Sequence, residues 1–288
     1  MSSYSIEEVR QFYDQVGWQK LDDGFYQNAR FEDLRKVSRE YIHKCHLRVK
    51  RHLPESGKYF LDAGSGPIQY PEYMTYSQGF QYRVCVDLSL VALKAARKRI
   101  GSHGLFVIGD VAELPFRSGS FEGLVSLHTL HHLPVGMWKR AFSGFDRVLR
   151  TNGNAVVVNG WGYSQLMHSI NWLIILTERI IGWLQLTNDS ESEGLSFKEE
   201  ENNEEQGEVV RTFVEKMTAK KFMQEIGMRY PIQVVVWRSV HVRFLRALIH
   251  PKLAGQFWLK ILYWMEEQFP RWFGENGAYP LIVLNKRA

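Results

Sequence analysis

The stretch Phe60-Leu61-Asp62-Ala63-Gly64-Ser65-Gly66-Pro67 runs an apolar segment into an Asp-x-Gly-x-Gly turn. Glycine has no Cβ, so this type of turn brings backbone close to a ligand, although alone it also serves as a plain strand-to-helix turn. A dinucleotide fingerprint requires another glycine three residues after Gly66, where Gln69 stands. Two carboxylates follow. Asp87 closes the apolar run Val84-Cys85-Val86, where it can accept both hydroxyls of a ribose held over the first turn. Asp110 closes Val107-Ile108-Gly109, where it can accept an adenine amino hydrogen. Singly, each aspartate reads as a turn or cap residue. Together, three strand ends converge on the edge at which open α/β sheets bind ligands.

A fourth apolar run leads into Ser126-Leu127-His128-Thr129-Leu130-His131-His132. These histidines have the spacing of metal ligands on a helix. No carboxylate lies among them, so a metal site is disfavoured. His128 comes first after the strand end and is the candidate general base. His131 and His132 are assigned to the loop that faces a substrate.

The elements that must position these groups follow from the hydrophobic rhythm. Residues 6–52 read as helical, with stripes at Ile6, Val9 and Phe12–Tyr13, then Leu34, Val37, Tyr41–Ile42 and Cys45. Strands are predicted at Lys58–Ala63, Tyr82–Leu88, Leu105–Gly109, Phe121–Leu127 and Asn154–Asn159. Helices are predicted at Pro71–Gln78, at Ser89–Ile100 with Ser89 as N-cap and Gly101 as stop, and near Gly136–Leu149. Strands alternating with helices imply a doubly wound α/β sheet with right-handed crossovers. Beyond Trp161, helices are expected at Ile170–Leu186, about Arg211–Glu225, and Val240–Phe269 with a break at His250-Pro251. Strands at Ile232–Trp237 and Tyr279–Asn285 suggest an antiparallel ending. The domains read as an N-terminal helical cap (1–53), a core (54–161), a helical insert with an acidic loop (162–230), and the end of the sheet with a helical lid (231–288).

The segments LDAGSGP, VCVDLS, GDVAELPF, FEGLVSLHTLHHLP and LRTNGNAVVV resemble, in order, the class I S-adenosylmethionine-dependent methyltransferases, particularly the small-molecule group that includes ubiquinone/menaquinone-type enzymes. The resemblance implies a mostly parallel seven-stranded Rossmann-like sheet and S-adenosylmethionine as cofactor. It places Asp62, Gly64, Ser65 and Gly66 beside the methionine part, Asp87 on the ribose with Leu88 against the adenine, and Asp110 and Val111 at the adenine edge. Ser126 and Leu127, at the fourth strand end, complete that set. An aromatic from the N-terminal helices often touches the cofactor in this family, and Tyr13 is the candidate here, with Tyr26 second. The family's frequent third glycine is replaced by Ile68. The Asn/Asp-Pro-Pro-Tyr/Phe signature of amino-methylating relatives is absent, which disfavours nucleobase nitrogen as the acceptor. The expected reaction is methyl transfer to a small apolar or aromatic molecule at oxygen or carbon. A cofactor-binding regulatory subunit without turnover and an NAD-dependent oxidoreductase are the alternatives.

Composition sets the frame. The chain has 288 residues, 45% of them apolar and 23% charged, which suits a globular protein with a full core. Its two cysteines exclude a disulfide scaffold. The start lacks an apolar signal-peptide segment, so a cytoplasmic location is expected. Net charge is +5, but residues 187–208 carry nine acidic side chains and one lysine, leaving +13 on the remainder. That acidic stretch has little to bury and reads as a mobile loop. The basic clusters lack the interleaved aromatics of a nucleic-acid groove, so a nucleic-acid partner is disfavoured. Seven of the nine tryptophans lie at or after Trp161. Trp161, Trp172 and Trp264 are accordingly assigned to a substrate-facing wall. The helix at Ile170–Leu186, apolar nearly all round, suits burial under a lid better than an oligomer interface or a membrane surface. The sequence does not specify the oligomeric state.

Overall fold

The computed structural model of the chain describes residues 6–19, 26, 32–184 and 212–287. Its centre is a seven-stranded sheet: β1 (Gly57–Ala63), β2 (Phe80–Asp87), β3 (Gly104–Ile108), β4 (Phe121–Leu127), β5 (Leu149–Val158), β6 (Ile232–Arg238) and β7 (Tyr279–Asn285). The order across the sheet is β3-β2-β1-β4-β5-β7-β6. Strands β1 to β5 pair in parallel, and β7 runs antiparallel to both β5 and β6. The chain order reverses between β1 and β4, which makes that gap the place where an open sheet leaves a crevice.

Strand side chains alternate faces, so each strand feeds two cores. Phe60, Val156, Val158, Leu281 and Val283 enter one, and Leu61, Ala155, Val157, Ile282 and Leu284 enter the other. The first core is closed by α2 (Arg39–Lys50) and α3 (Leu90–Ile100), through Tyr41, Cys45, Val49, Leu93 and Ala96. The second is closed by α4 (Val135–Val148), through Trp138, Phe142 and Phe145. Ser89 caps α3 as expected, its Oγ accepting the Ala92 N–H at 3.0 Å, and Gly101 ends the helix at φ +55°.

One expectation needs correction. The helix predicted from Arg211 to Glu225 begins only at α6 (Ala219–Phe222), with a wide turn over Met223–Gly227. Residues 212–218 form no regular secondary structure, and their backbone is tied elsewhere: the Glu215 N–H donates to the His131 carbonyl, and the Gly162 N–H to the Met217 carbonyl. The region Val240–Phe269 is divided into α7 (Val242–Leu248), a short turn at Pro251–Leu253, and α8 (Gly255–Gln268). The break falls at the predicted His250-Pro251. A further helix, α9 (Pro270–Asn276), starts on Pro270 at a position where proline loses no hydrogen bond. The turn that follows the short helix α1 (Ile6–Phe12) lies against the start of α3, and α5 (Gln165–Leu184) packs on α7. The acidic stretch at 187–208 lies outside the described residues. No described helix is long and apolar enough to cross a membrane.

Candidate active site

The C-terminal ends of β1 to β4 border a cleft of about 960 Å³, including the part open to solvent. Gly64, with φ +76°, and Gly66, with φ +53°, turn the chain away from β1 in the left-handed region that favours glycine. A Cβ at Gly64 would overlap the Thr129 side chain, and one at Gly66 would come within 3.0 Å of Trp18. Gly64→Ala is therefore expected to cost about 1–3 kcal/mol, read from the urea midpoint. A midpoint equal to that of the parent would contradict the close approach of Thr129. Ile68 shows how the turn survives without the family's third glycine. It adopts φ +55° itself, a strain of about 1–2 kcal/mol for an L-residue. Its side chain is fully buried in the first core, which offsets strain of that size.

Asp87 anchors the turn. Its Oδ2 accepts the Gly66 N–H at 2.8 Å and its Oδ1 accepts the Ser89 N–H at 2.9 Å. Burial pushes its carboxyl up to about 6, against the pull of those two donors. A carboxylate facing a cleft in this state has acceptor capacity left for ligand hydroxyls. Asp110 is similar, accepting the Ala112 N–H at 2.8 Å, with its carboxyl pushed upward by burial. Leu88, Val111, Leu127 and Leu133 supply apolar wall between them.

The N-terminal segment closes the cleft from outside. Tyr13 stacks on Trp18 with ring centroids 5.0 Å apart, and its hydroxyl lies 2.5 Å from His132 Nε2. His132 Nδ1 is 2.9 Å from the Phe213 carbonyl, which can only accept. That nitrogen therefore carries the proton, and Nε2 accepts the Tyr13 hydroxyl. Burial pushes the Tyr13 phenol up and the His132 imidazole down to about 4, so both are neutral near pH 7. Ser89 Oγ also donates to the Asp14 carboxylate, joining this segment to α3.

Of the residues singled out in the sequence, Tyr13, Asp62, Gly64, Ser65, Gly66, Asp87, Leu88, Asp110, Val111, Leu127, His128 and His132 share this cleft. Asp62 is buried and paired with Arg83 on β2. Ser126 is buried below the cleft, with an Oγ that has no partner among the described residues. His131 turns away, its Nδ1 2.8 Å from Asn159 Oδ1. The tryptophan wall is not assembled at the cleft. Trp161 is buried, and its indole N–H donates to the Gly274 carbonyl at 2.8 Å. Trp172 and Trp264 are exposed, because α5 turns Met167 and Ile174 inward and α8 turns Leu259 and Glu266 inward. Tyr26 packs edge-on against Trp18, one ring removed from Tyr13. Sequence reasoning missed Trp18, Tyr73, Arg83 and Thr129. Among the described residues, no three His, Cys, Asp or Glu side chains are grouped to hold a metal ion.

Beyond His128 the cleft meets a buried aromatic cluster. The His128 ring lies edge-on to Trp237 at 4.9 Å and to Tyr279 at 6.0 Å. His46 packs among Tyr70, Tyr73 and Trp237 at 4.6, 5.3 and 5.2 Å. Arg238 stacks over Trp237 and Tyr279 and pairs with Glu32. Both His46 ring nitrogens, Trp237 Nε1 and Arg238 Nε are buried without hydrogen-bond partners among the described residues. Burial, reinforced by Arg238, Lys216 and His132, pushes His128 down to about 3, so its ring is neutral near pH 7.

Residues 61–157 match the family described as a methyltransferase domain. The matched segment, about a third of the chain, holds the Gly64–Gly66 turn, Asp87, Asp110 and the His128 loop. Phthiotriol/phenolphthiotriol dimycocerosates methyltransferase 1 of Mycobacterium ulcerans (strain Agy99) is 30% identical over 117 residues, 40% of this chain and 42% of that protein. The match thus spans less than half the length of that curated relative. Two solved structures share the fold. Geranyl diphosphate C-methyltransferase from Streptomyces coelicolor A3(2) has a TM-score of 0.52 and 13% identity, with 97% of each chain covered. Haemonchus contortus phosphoethanolamine N-methyltransferase 2 has a TM-score of 0.52 and 17% identity, covering 97% of this chain and 60% of that one.

Proposed function

We propose that the chain is an S-adenosylmethionine-dependent methyltransferase that methylates oxygen or carbon of a small, uncharged, apolar or aromatic acceptor. The observation that carries this reading is Asp87, a carboxylate facing the cleft with no cation paired to it among the described residues, held by the glycine turn it must serve. Ribose hydroxyls are donors of the kind it lacks. Asp110 suits an adenine amino group, and Leu88, Val111 and Leu133 suit its ring faces. Gln69 in place of a third glycine, together with Asp110, argues against a nicotinamide dinucleotide.

When bound, S-adenosylmethionine supplies a methyl group already activated by its sulfonium. The chain's own work is alignment and exclusion of water. Tyr13, Trp18 and His132 cover the opening. The aromatic cluster beyond His128 supports an apolar acceptor, and its buried N–H groups support one that carries polar oxygens. The curated relative is named for phthiotriol and phenolphthiotriol dimycocerosates, which supports a small-molecule acceptor rather than a nucleic acid. A neutral His128 can accept the proton of an acceptor hydroxyl at its ring nitrogen.

His128→Asn tests this assignment, because asparagine tolerates the φ of +52° found at this position. Turnover on apolar alcohols or phenols is expected to fall about 100-fold or more, with S-adenosylhomocysteine affinity changed less than about threefold. Unchanged turnover would remove His128 from the chemistry. Tight cofactor binding by the parent with no methyl transfer to any such acceptor would favour the regulatory reading instead.

A further inference from the structure

Helix α8 is amphipathic in the inverted sense. Its inward face carries Glu266, fully buried, which accepts from the Tyr41 hydroxyl at 2.8 Å, from Arg48 at 2.8 Å and from Ser239 at 2.6 Å. Glu267 beside it is bound by Arg48 and Arg51. The outward face carries the large apolar residues. Phe257 is 56% exposed and Trp264 60%, and with half-buried Ile261 between them they follow one line along the helix at i, i+4 and i+7. Trp258 and Met265 flank that line, and Phe269 and Trp272 continue it onto α9, all exposed. A soluble helix normally turns the other way, and an apolar patch this concentrated marks an interaction surface.

The charges around the patch indicate what it meets. Lys252, Lys260 and Arg271 are exposed along α8, α9 and the turn before them. The acids of the same stretch are Glu266, buried against Arg48, Glu267, half-buried and paired with Arg48 and Arg51, and exposed Glu275. Tryptophan and phenylalanine set among cations match the boundary between acyl chains and anionic headgroups, where an indole buries its ring and keeps its N–H wet. A two-fold contact with another copy would instead set the same cations against one another in a desolvated interface.

From this inverted face we infer that α8 and α9 dock the protein on the surface of an anionic lipid bilayer, lying in the interface without crossing it. The inference stands independently of the reaction proposed above, since none of these side chains lines the cleft.

Co-sedimentation with phosphatidylcholine–phosphatidylglycerol vesicles, with tryptophan emission as a second readout, tests it. The parent should partition onto these vesicles with a blue shift, and partition less onto phosphatidylcholine alone. Phe257→Ser with Trp264→Ser should lower partitioning about 100-fold, roughly tenfold per ring lost from the interface. Lys260→Gln with Arg271→Gln should lower it about 25-fold on the anionic vesicles, roughly fivefold per cation. Both pairs of changes are at exposed positions, and retained S-adenosylhomocysteine affinity confirms that each variant is folded. Two results would overturn the inference. One is a parent that stays in the supernatant at every lipid composition. The other is a dimer, seen by light scattering, that Phe257→Ser with Trp264→Ser dissociates.

Discussion

Asp87→Ala is expected to weaken S-adenosylhomocysteine binding by tenfold or more, measured by titration calorimetry. Each hydrogen bond between a hydroxyl and a charged carboxylate contributes about 1.5–3 kcal/mol. The substitution also releases the N–H groups of Gly66 and Ser89, which Asp87 now holds at 2.8 and 2.9 Å, so the turn itself loosens. The same carboxyl sets a pH dependence. Burial raises it from 3.8 to about 6, so it takes up a proton as the pH falls through 6 and no longer accepts from both sides. Affinity should therefore decline below pH 6 in the parent and stay flat there in Asp87→Ala. The apo fold responds with the opposite sign. Because the folded carboxyl has the higher pKa, ionisation costs the free protein stability as the pH rises from about 4 to 6. Ligand hydroxyls offset that cost, so the thermal shift given by S-adenosylhomocysteine should be larger at pH 7.5 than at pH 5. Unchanged affinity in the variant, or preferential binding of NAD, would sink the ribose assignment.

The half of the sheet around the Gly64–Gly66 turn was legible because its signals are local. A glycine turn, an apolar run ending in aspartate and a serine before a helix each carry their meaning within a few residues. The order of strands follows from chirality and from connection length. Asp87, Asp110 and the Gly64–Gly66 turn accordingly meet at one edge of the sheet. Ile68 was legible as a departure, but not its consequence. Only the backbone shows that an isoleucine takes the left-handed turn that glycine would otherwise occupy.

Residues joined across long separations were not legible. Tyr13 meets His132 across 119 positions, and Arg238 meets Glu32 across 206. No spacing rule connects such pairs. The tryptophan wall failed for a related reason. Periodicity shows that a helix has an apolar face but not which way the face is turned. On α8 the one feature that decides this is Glu266, whose four bonds come from Tyr41, Arg48 and Ser239, all distant in sequence. An acid that looks solvent-facing on a helical wheel is the inward anchor, and the tryptophans follow to the outside.

Arg83→Met is expected to cost the fold about 3–5 kcal/mol, read from urea unfolding. Arg83 is fully buried, and its guanidinium donates to Asp62 on β1 and to the Tyr73 carbonyl after the glycine turn. Removing it strands a carboxylate that burial already pushes upward even with the arginine beside it. The companion change Asp62→Leu should recover most of that loss, because a matched apolar pair replaces a buried ion pair at little cost. Cofactor affinity should not recover with it. Both bonds from Arg83 to Asp62 land on Oδ2, which leaves Oδ1 to accept from a ligand amino group in the cleft that Asp62 lines. The double variant is thus expected to be stable yet at least tenfold weaker for S-adenosylhomocysteine, the loss of one charged hydrogen bond. A stable double variant that binds as tightly as the parent would make Asp62 a structural partner of Arg83 and nothing more.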